Sequence, residues 1–99
     1  MDNKPDIVHN EQANRYELWI EGELASLAEY RPVSGPQGDV LVFDHTETRQ
    51  AFRGGGLAER VVRFALEDVR ERGKRVVPQC WFVAEVMEAN PEYADLRAA

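Results

Sequence analysis

Arg53-Gly54-Gly55-Gly56-Leu57-Ala58 is the stretch on which the fold of this chain turns. Three consecutive glycines end there and an amphipathic segment begins. Counting from Ala58, the apolar residues Val61, Val62, Ala65, Leu66 and Val69 fall at i+3, i+4, i+7, i+8 and i+11. That is one apolar stripe of a helix. Glu59, Arg60, Arg63, Glu67, Arg70 and Glu71 read as the solvated face, and Gly73 is placed to stop the helix. Upstream, Val40-Leu41-Val42-Phe43 reads as a central strand buried on both faces. It runs on into Asp44-His45-Thr46-Glu47, where polar groups abruptly replace apolar ones. Downstream, Arg75-Val76-Val77-Pro78 reads as a short strand with proline near its end. Strand, glycine turn, helix and strand in that order predict a parallel pair joined by a right-handed crossover.

Working outward, Tyr16, Leu18 and Ile20 alternate with Glu17 and Glu21, the pattern of a half-buried strand. Trp19 reads as a packing residue on the sheet. Gly22 suits a tight hairpin turn into a second strand over 24–31. A short strand carrying Ile7 and Val8 is predicted over 6–11. Pro32 to Asp39 is turn chemistry along its whole length. Trp81 to Ala89 reads as a shorter helix, ended by Asn90-Pro91 because the residue before proline disfavours the helical region. The fold class expected is α/β (α+β). A mostly antiparallel sheet should carry one parallel strand pair, with helices packed on it. One domain is expected over 6–99, behind a loose tail at 1–5.

The bulk numbers exclude several function classes. The chain has 99 residues and is 43% hydrophobic, ordinary for one globular core. No apolar run approaches the roughly 20 residues that span a bilayer. The polar N-terminus lacks a signal-peptide core, so a soluble, cytoplasmic protein is expected. The single cysteine, Cys80, forbids an internal disulfide and argues against a cysteine-based metal site. A net charge of −6 argues against nucleic acid as the partner. A monomer is expected.

Glycine allows positive φ and lets another group approach the backbone closely. At a helix start the unpaired N–H groups converge and the dipole is positive, so an anion fits there. Arg53 can add charge. The plainer reading is a flexible connector. Two nucleotide motifs fail at this turn. The Walker pattern needs Gly-Lys-Ser/Thr, but Leu57 and Ala58 follow Gly56. The dinucleotide fingerprint needs a further glycine near position 59, where Glu59 stands.

The turn resembles the acetyl-CoA motif of the GNAT superfamily, Gln/Arg-x-x-Gly-x-Gly/Ala, at every specified position. His45-Thr46-Glu47, the helix, Val77-Pro78-Gln79-Cys80-Trp81-Phe82-Val83 and Asn90-Pro91-Glu92-Tyr93 extend the likeness to a small single-domain GNAT-like family. Thr48 and Arg49 stand where that family usually has Val-Pro, and Trp81 where it usually has proline. The resemblance implies a GNAT-like fold in which the strands before the turn and after the long helix splay apart. The pantetheine arm of acetyl-CoA would lie between them, much like an added strand. The pyrophosphate would sit on the amides of Gly54, Gly55, Gly56, Leu57 and Ala58, with Arg53 and Thr46 among the coenzyme-binding residues.

The implied function is an acetyl-CoA-dependent N-acyltransferase acting on an amine of a small molecule or a protein. The alternative is a CoA-binding or partner-binding module with little activity. Cys80, His45 and Glu47 come from the strand ends where the thioester would point. Cys80 precedes the second helix, and a helix N-terminus favours a thiolate. It reads as a nucleophile, a pocket thiol or a small buried hydrophobe. His45 or Glu47 can deprotonate an amine, directly or through water. Each also has a structural reading, as a hydrogen-bonded residue or a solvated carboxylate. Regular alternation puts both on the face of Leu41 and Phe43, with Asp44 opposite. Trp81 and Phe82 read as channel lining or core. Tyr93 reads as packing, or as a proton donor to a leaving thiolate. No metal site is expected.

Overall fold

The computed structural model of the chain describes residues 5–36 and 38–98. Most of the tail expected at 1–5 therefore lies outside the described residues. Five strands form one sheet in sequence order: β1 (Asp6–Asn10), β2 (Arg15–Ile20), β3 (Glu23–Gly35), β4 (Gly38–Thr48) and β5 (Arg75–Pro78). The first four are antiparallel, while β4 and β5 run parallel. Between them come the helix α1 (Leu57–Glu71) and, after β5, α2 (Trp81–Ala89). Short 3₁₀ helices occupy Gln50–Phe52 and Pro91–Leu96, neither of which the sequence pattern suggests.

The apolar stripe of α1 does what its spacing demands. Val61, Val62, Ala65, Leu66 and Val69 are buried against Tyr16, Leu18, Ala28, Tyr30 and Phe43 from one face of the sheet. Val83, Val86 and Met87 of α2, with Tyr93 and Leu96, extend the same core. Side-chain ties reinforce this face. Arg70 bonds the Glu92 carbonyl and Asp95, so part of the helix surface expected to be solvated instead anchors the C-terminal segment.

The β2–β3 turn is a two-residue loop in which Glu21 (φ 48°) and Gly22 (φ 81°) both adopt left-handed backbone. That conformation matches the strand twist. The reading of Pro32–Asp39 as a turn holds at Pro36, falls outside the described residues at Gln37, and is corrected for the rest. Pro32, Val33, Ser34 and Gly35 continue β3 and pair with Leu41, Val40, Asp39 and Gly38. Pro32 is tolerated because of where it faces. The Tyr30 N–H donates to Asn14 O, away from β4, and by alternation Pro32 faces the same way. Among the described residues, no strand lies beside it there, so its missing N–H removes no ladder bond.

Candidate functional site

The site is built where β4 outruns β5. The two strands pair from Val40–Arg75 to Phe43–Pro78. The Cys80 N–H donates to Phe43 O at 2.8 Å, the last link before the chain turns into α2. β4 continues through Thr48, so its Asp44–Thr48 half borders a slot between the sheet and the start of α2.

Within that half, the β3–β4 register slips. Glu29 pairs with His45 but Tyr30 pairs with Phe43, which leaves Asp44 as the extra residue of a β-bulge. The bulge overturns the expected faces. Thr46 pairs with Ala28 of the core, so it shares the helix-covered face with Phe43. Glu47 pairs with Leu27, which lies outside that core cluster. His45 and Glu47 therefore face the open side of the sheet. Asp44, expected opposite them, is exposed and pairs with Arg31 at 3.3 Å.

The predicted residues thus fall into two groups. Thr46 Oγ1 lies 3.7 Å from Cys80 Sγ on the core side of the slot. Cys80 caps α2 and is partly buried against the core. His45 Nε2 lies 3.3 Å from Glu47 Oε1 on the other side, with both side chains about half exposed (51% and 52%). Among the described residues, no hydrogen bond joins the two groups. Core packing of Trp81 is excluded, because it is 72% exposed at the start of α2. Phe82 packs partly against the core and its ring meets that of Trp81 edge-on. Tyr93 is buried beneath Arg70, and burial together with the Glu67 carboxylate pushes its hydroxyl pKa up. That is the packing role.

The glycine turn closes one end of the slot. Gly54 (φ 91°) and Gly56 (φ 74°) are left-handed, and Gly56 caps α1 with no side chain bonding its free amides. The first turn closes only with Arg60 N–H to Gly56 O. Among the described residues, no protein group accepts from the N–H groups of Gly54 through Glu59. A side chain at any of the three glycines would point into open space. Arg53 is fixed by Nε donating to Thr48 O at 3.1 Å, which leaves its terminal nitrogens to meet a ligand. A cavity of about 240 Å³ runs beneath, lined by residues that include Thr48, Arg53, Gly54, Leu57, Ala58 and Phe82. A larger concavity of about 520 Å³ lies beside Met87, Pro91 and Arg97. It lacks any comparable set of converging donors. The turn therefore has the donors, room and charge to hold a diphosphate, and Thr48, the last residue of β4, lines the same cavity.

Comparison with known proteins fits this geometry. The profile of a family described as GCN5-related N-acetyl-transferase matches residues 15–96. The chain belongs to the GCN5-related N-acetyltransferase family. A GCN5-like protein from Staphylococcus aureus shares the fold at a TM-score of 0.71 and 22% identity, over 100% of this chain and 92% of its own. A ribosomal-protein-alanine N-acetyltransferase from Brucella melitensis biovar Abortus shares it at a TM-score of 0.58 and 19% identity, over 86% and 61%. Protein NATD1 of Bos taurus is 33% identical over 52% of this chain, and that of Homo sapiens 31% identical over 52%. These matches span 46% of the length of each NATD1 protein. Among the described residues of this GCN5-related chain, no helix is long and apolar enough to cross a membrane.

The structure adds groups that the sequence pattern missed. Glu59 also lines the glycine-turn cavity, and its i,i+4 spacing to Arg63 was the available signal. At the far end of α1, His9 stacks on Tyr16 at 4.1 Å and contacts the Tyr30 hydroxyl at 2.6 Å. The Tyr16 hydroxyl and Arg72 Nε each donate to Asp68 Oδ2 at 2.7 Å. His9 Nδ1 lies 3.3 Å from the same oxygen but outside hydrogen-bonding geometry, so it is a buried nitrogen without a partner. Burial, then the Arg72 charge, lower the His9 pKa against the opposing pull of Asp68. Burial of Asp68 is outweighed by the bonds from Tyr16 and Arg72, which lower its pKa.

Proposed function

We propose that this protein is an N-acyltransferase that takes the acetyl group of acetyl-CoA and passes it to an amine. One observation carries the reading. A glycine turn with unpaired amides opens α1 at one end of a strand-edge slot, in a chain of the GCN5-related family. The amides of Gly54 to Ala58 and the Arg53 guanidinium hold the pyrophosphate. The exposed β4 edge from Asp44 to Thr48 pairs with the pantetheine amides. The thioester then lies near Thr46 and Cys80.

The amine acceptor, on a small molecule or a protein, comes from the open face of the sheet, where His45 and Glu47 stand. With Nε2–H donated to Glu47, the His45 Nδ1 lone pair is free to take a proton from the amine. The amine nitrogen bonds to the thioester carbonyl carbon and the C–S bond breaks. CoA thiolate leaves and takes up a proton. Direct attack fits the geometry better than a Cys80 acyl-enzyme. Among the described residues, Cys80 Sγ has only the Thr46 hydroxyl as a polar neighbour and no base to activate it, whereas an amine arriving from the His45 face can meet the thioester carbon at the β4 edge that β5 leaves uncovered. The protein acts as a monomeric, cytoplasmic enzyme in this reading.

Mass spectrometry of a panel of amines and lysine peptides after incubation with acetyl-CoA tests it. One acetyl group gained by a panel member is the result expected. Coenzyme binding with no transfer to any acceptor would instead make the protein a CoA-binding module.

A further inference from the structure

Glu59 is the acidic residue in the first turn of α1 and lines the cavity under the glycine turn. A carboxylate at that place opposes any anion on the helix N-terminus. The structure shows how the conflict is contained. Arg63, one turn on, donates Nε to Glu59 Oε2 at 2.9 Å. Its Nη2 donates to Asn90 Oδ1, and Asn90 Nδ2 in turn donates to Val86 O at 2.7 Å. Arg63 is thereby held against the end of α2. Glu59 stands between two cavities, the glycine-turn cavity and a smaller one of about 100 Å³ at the α1–α2 seam, lined also by Glu85, Val86 and Asn90.

We propose that Arg63 is a positioning residue for the coenzyme, which neutralises Glu59 and holds its carboxylate toward the seam and off the pyrophosphate. The inference rests on the coenzyme reading above. Arg63 acts on the ligand through Glu59, not by contact.

A double-mutant cycle tests it, with acetyl-CoA titrated calorimetrically into wild type, R63M, E59Q and R63M/E59Q. Freeing a carboxylate at a helix start is expected to weaken affinity about two- to fivefold in R63M. E59Q alone should bind at least as tightly as wild type, and in the E59Q background R63M should change affinity little. Equal weakening by R63M in both backgrounds overturns the proposal, because Arg63 would then act by its own charge or by loosening the seam. No weakening in R63M overturns it too. Absence of acetyl-CoA binding by wild type overturns the coenzyme reading itself, so the two failures are distinguishable. Both R63M proteins lose the Asn90 bond alike, so a loss from destabilisation appears in both arms.

Discussion

Thr46 Oγ1 lies 3.7 Å from Cys80 Sγ, and this contact ties the half of β4 that β5 does not cover to the first residue before α2. Thr46 reaches that position only because the bulge at Asp44 turns it onto the face of Phe43. The register slip thus puts Thr46 beside Cys80 and turns His45 and Glu47 to the other face, and in the proposed function it sets where the acyl group lies.

This separation predicts the outcome at Cys80. In Cys80→Ala, acetyl transfer should fall but persist, because the amine attacks the thioester directly. Steady-state turnover and intact mass of the enzyme check it together. Abolished turnover, with an acetyl adduct on wild type that the variant lacks, would contradict direct transfer and establish the acyl-enzyme route.

The three glycines separate folding from binding. Gly56 is left-handed, so Gly56→Ala should cost about 1–2 kcal/mol of stability, measured by urea unfolding. Gly55 lacks positive φ, and a side chain there meets nothing within 4 Å. Gly55→Val should therefore change stability by less than about 0.5 kcal/mol. It should nonetheless weaken acetyl-CoA binding, because the new side chain stands where the ligand approaches. Unchanged affinity in Gly55→Val would remove the coenzyme from this surface.

The His9 cluster predicts a specific acid sensitivity. His9 is stacked on Tyr16, touches Tyr30, and faces Asp68 of α1, with Arg72 just past the helix end and Glu11 and Lys74 close enough to act on it. Its folded pKa is lowered, so the unfolded chain takes the proton first, near about pH 6.5. The stability from neutral His9 is present above that pH and lost as pH falls through the window below it. Asp68 acts later. The stability from its lowered pKa is present above the ordinary carboxylate range and is lost as pH falls through that range toward the lowered folded value. Urea midpoints at pH 7 and pH 5 should drop in wild type and drop less in His9→Phe, which keeps the stack. Equal drops in the two proteins would contradict this account of His9.

Much of the fold was legible because periodicity and burial agreed. Arg75–Pro78 and Trp81–Ala89 form the predicted elements over those residues, and α1 begins at the predicted Leu57. The sequence misled where a local signal met a tertiary one. Pro32 to Gly35 carry turn propensities, but pairing with β4 holds them in a strand whose outer side is free. His45 and Glu47 were assigned to the wrong face because a one-residue bulge leaves no mark in composition, yet it reverses every side chain beyond it. The chemistry-bearing turn was visible as glycines before a helix. What separates them, left-handed backbone at Gly54 and Gly56 but not at Gly55, needed backbone angles. His9, Tyr16 and Asp68 come from three segments, and no spacing links them.

The central claim is that the glycine turn holds acetyl-CoA with its thioester directed to Thr46 and Cys80. A residue-resolved NMR titration of the wild-type protein with acetyl-CoA tests it most directly. The account predicts saturable amide shifts at Gly54 to Ala58, along β4 from Asp44 to Thr48, and at Cys80. Desulfo-CoA should reproduce the first two sets and diminish the third. Shifts confined to Met87, Ala94 and Arg97 around the larger concavity, or no saturable shift at Gly54 to Ala58, would contradict it.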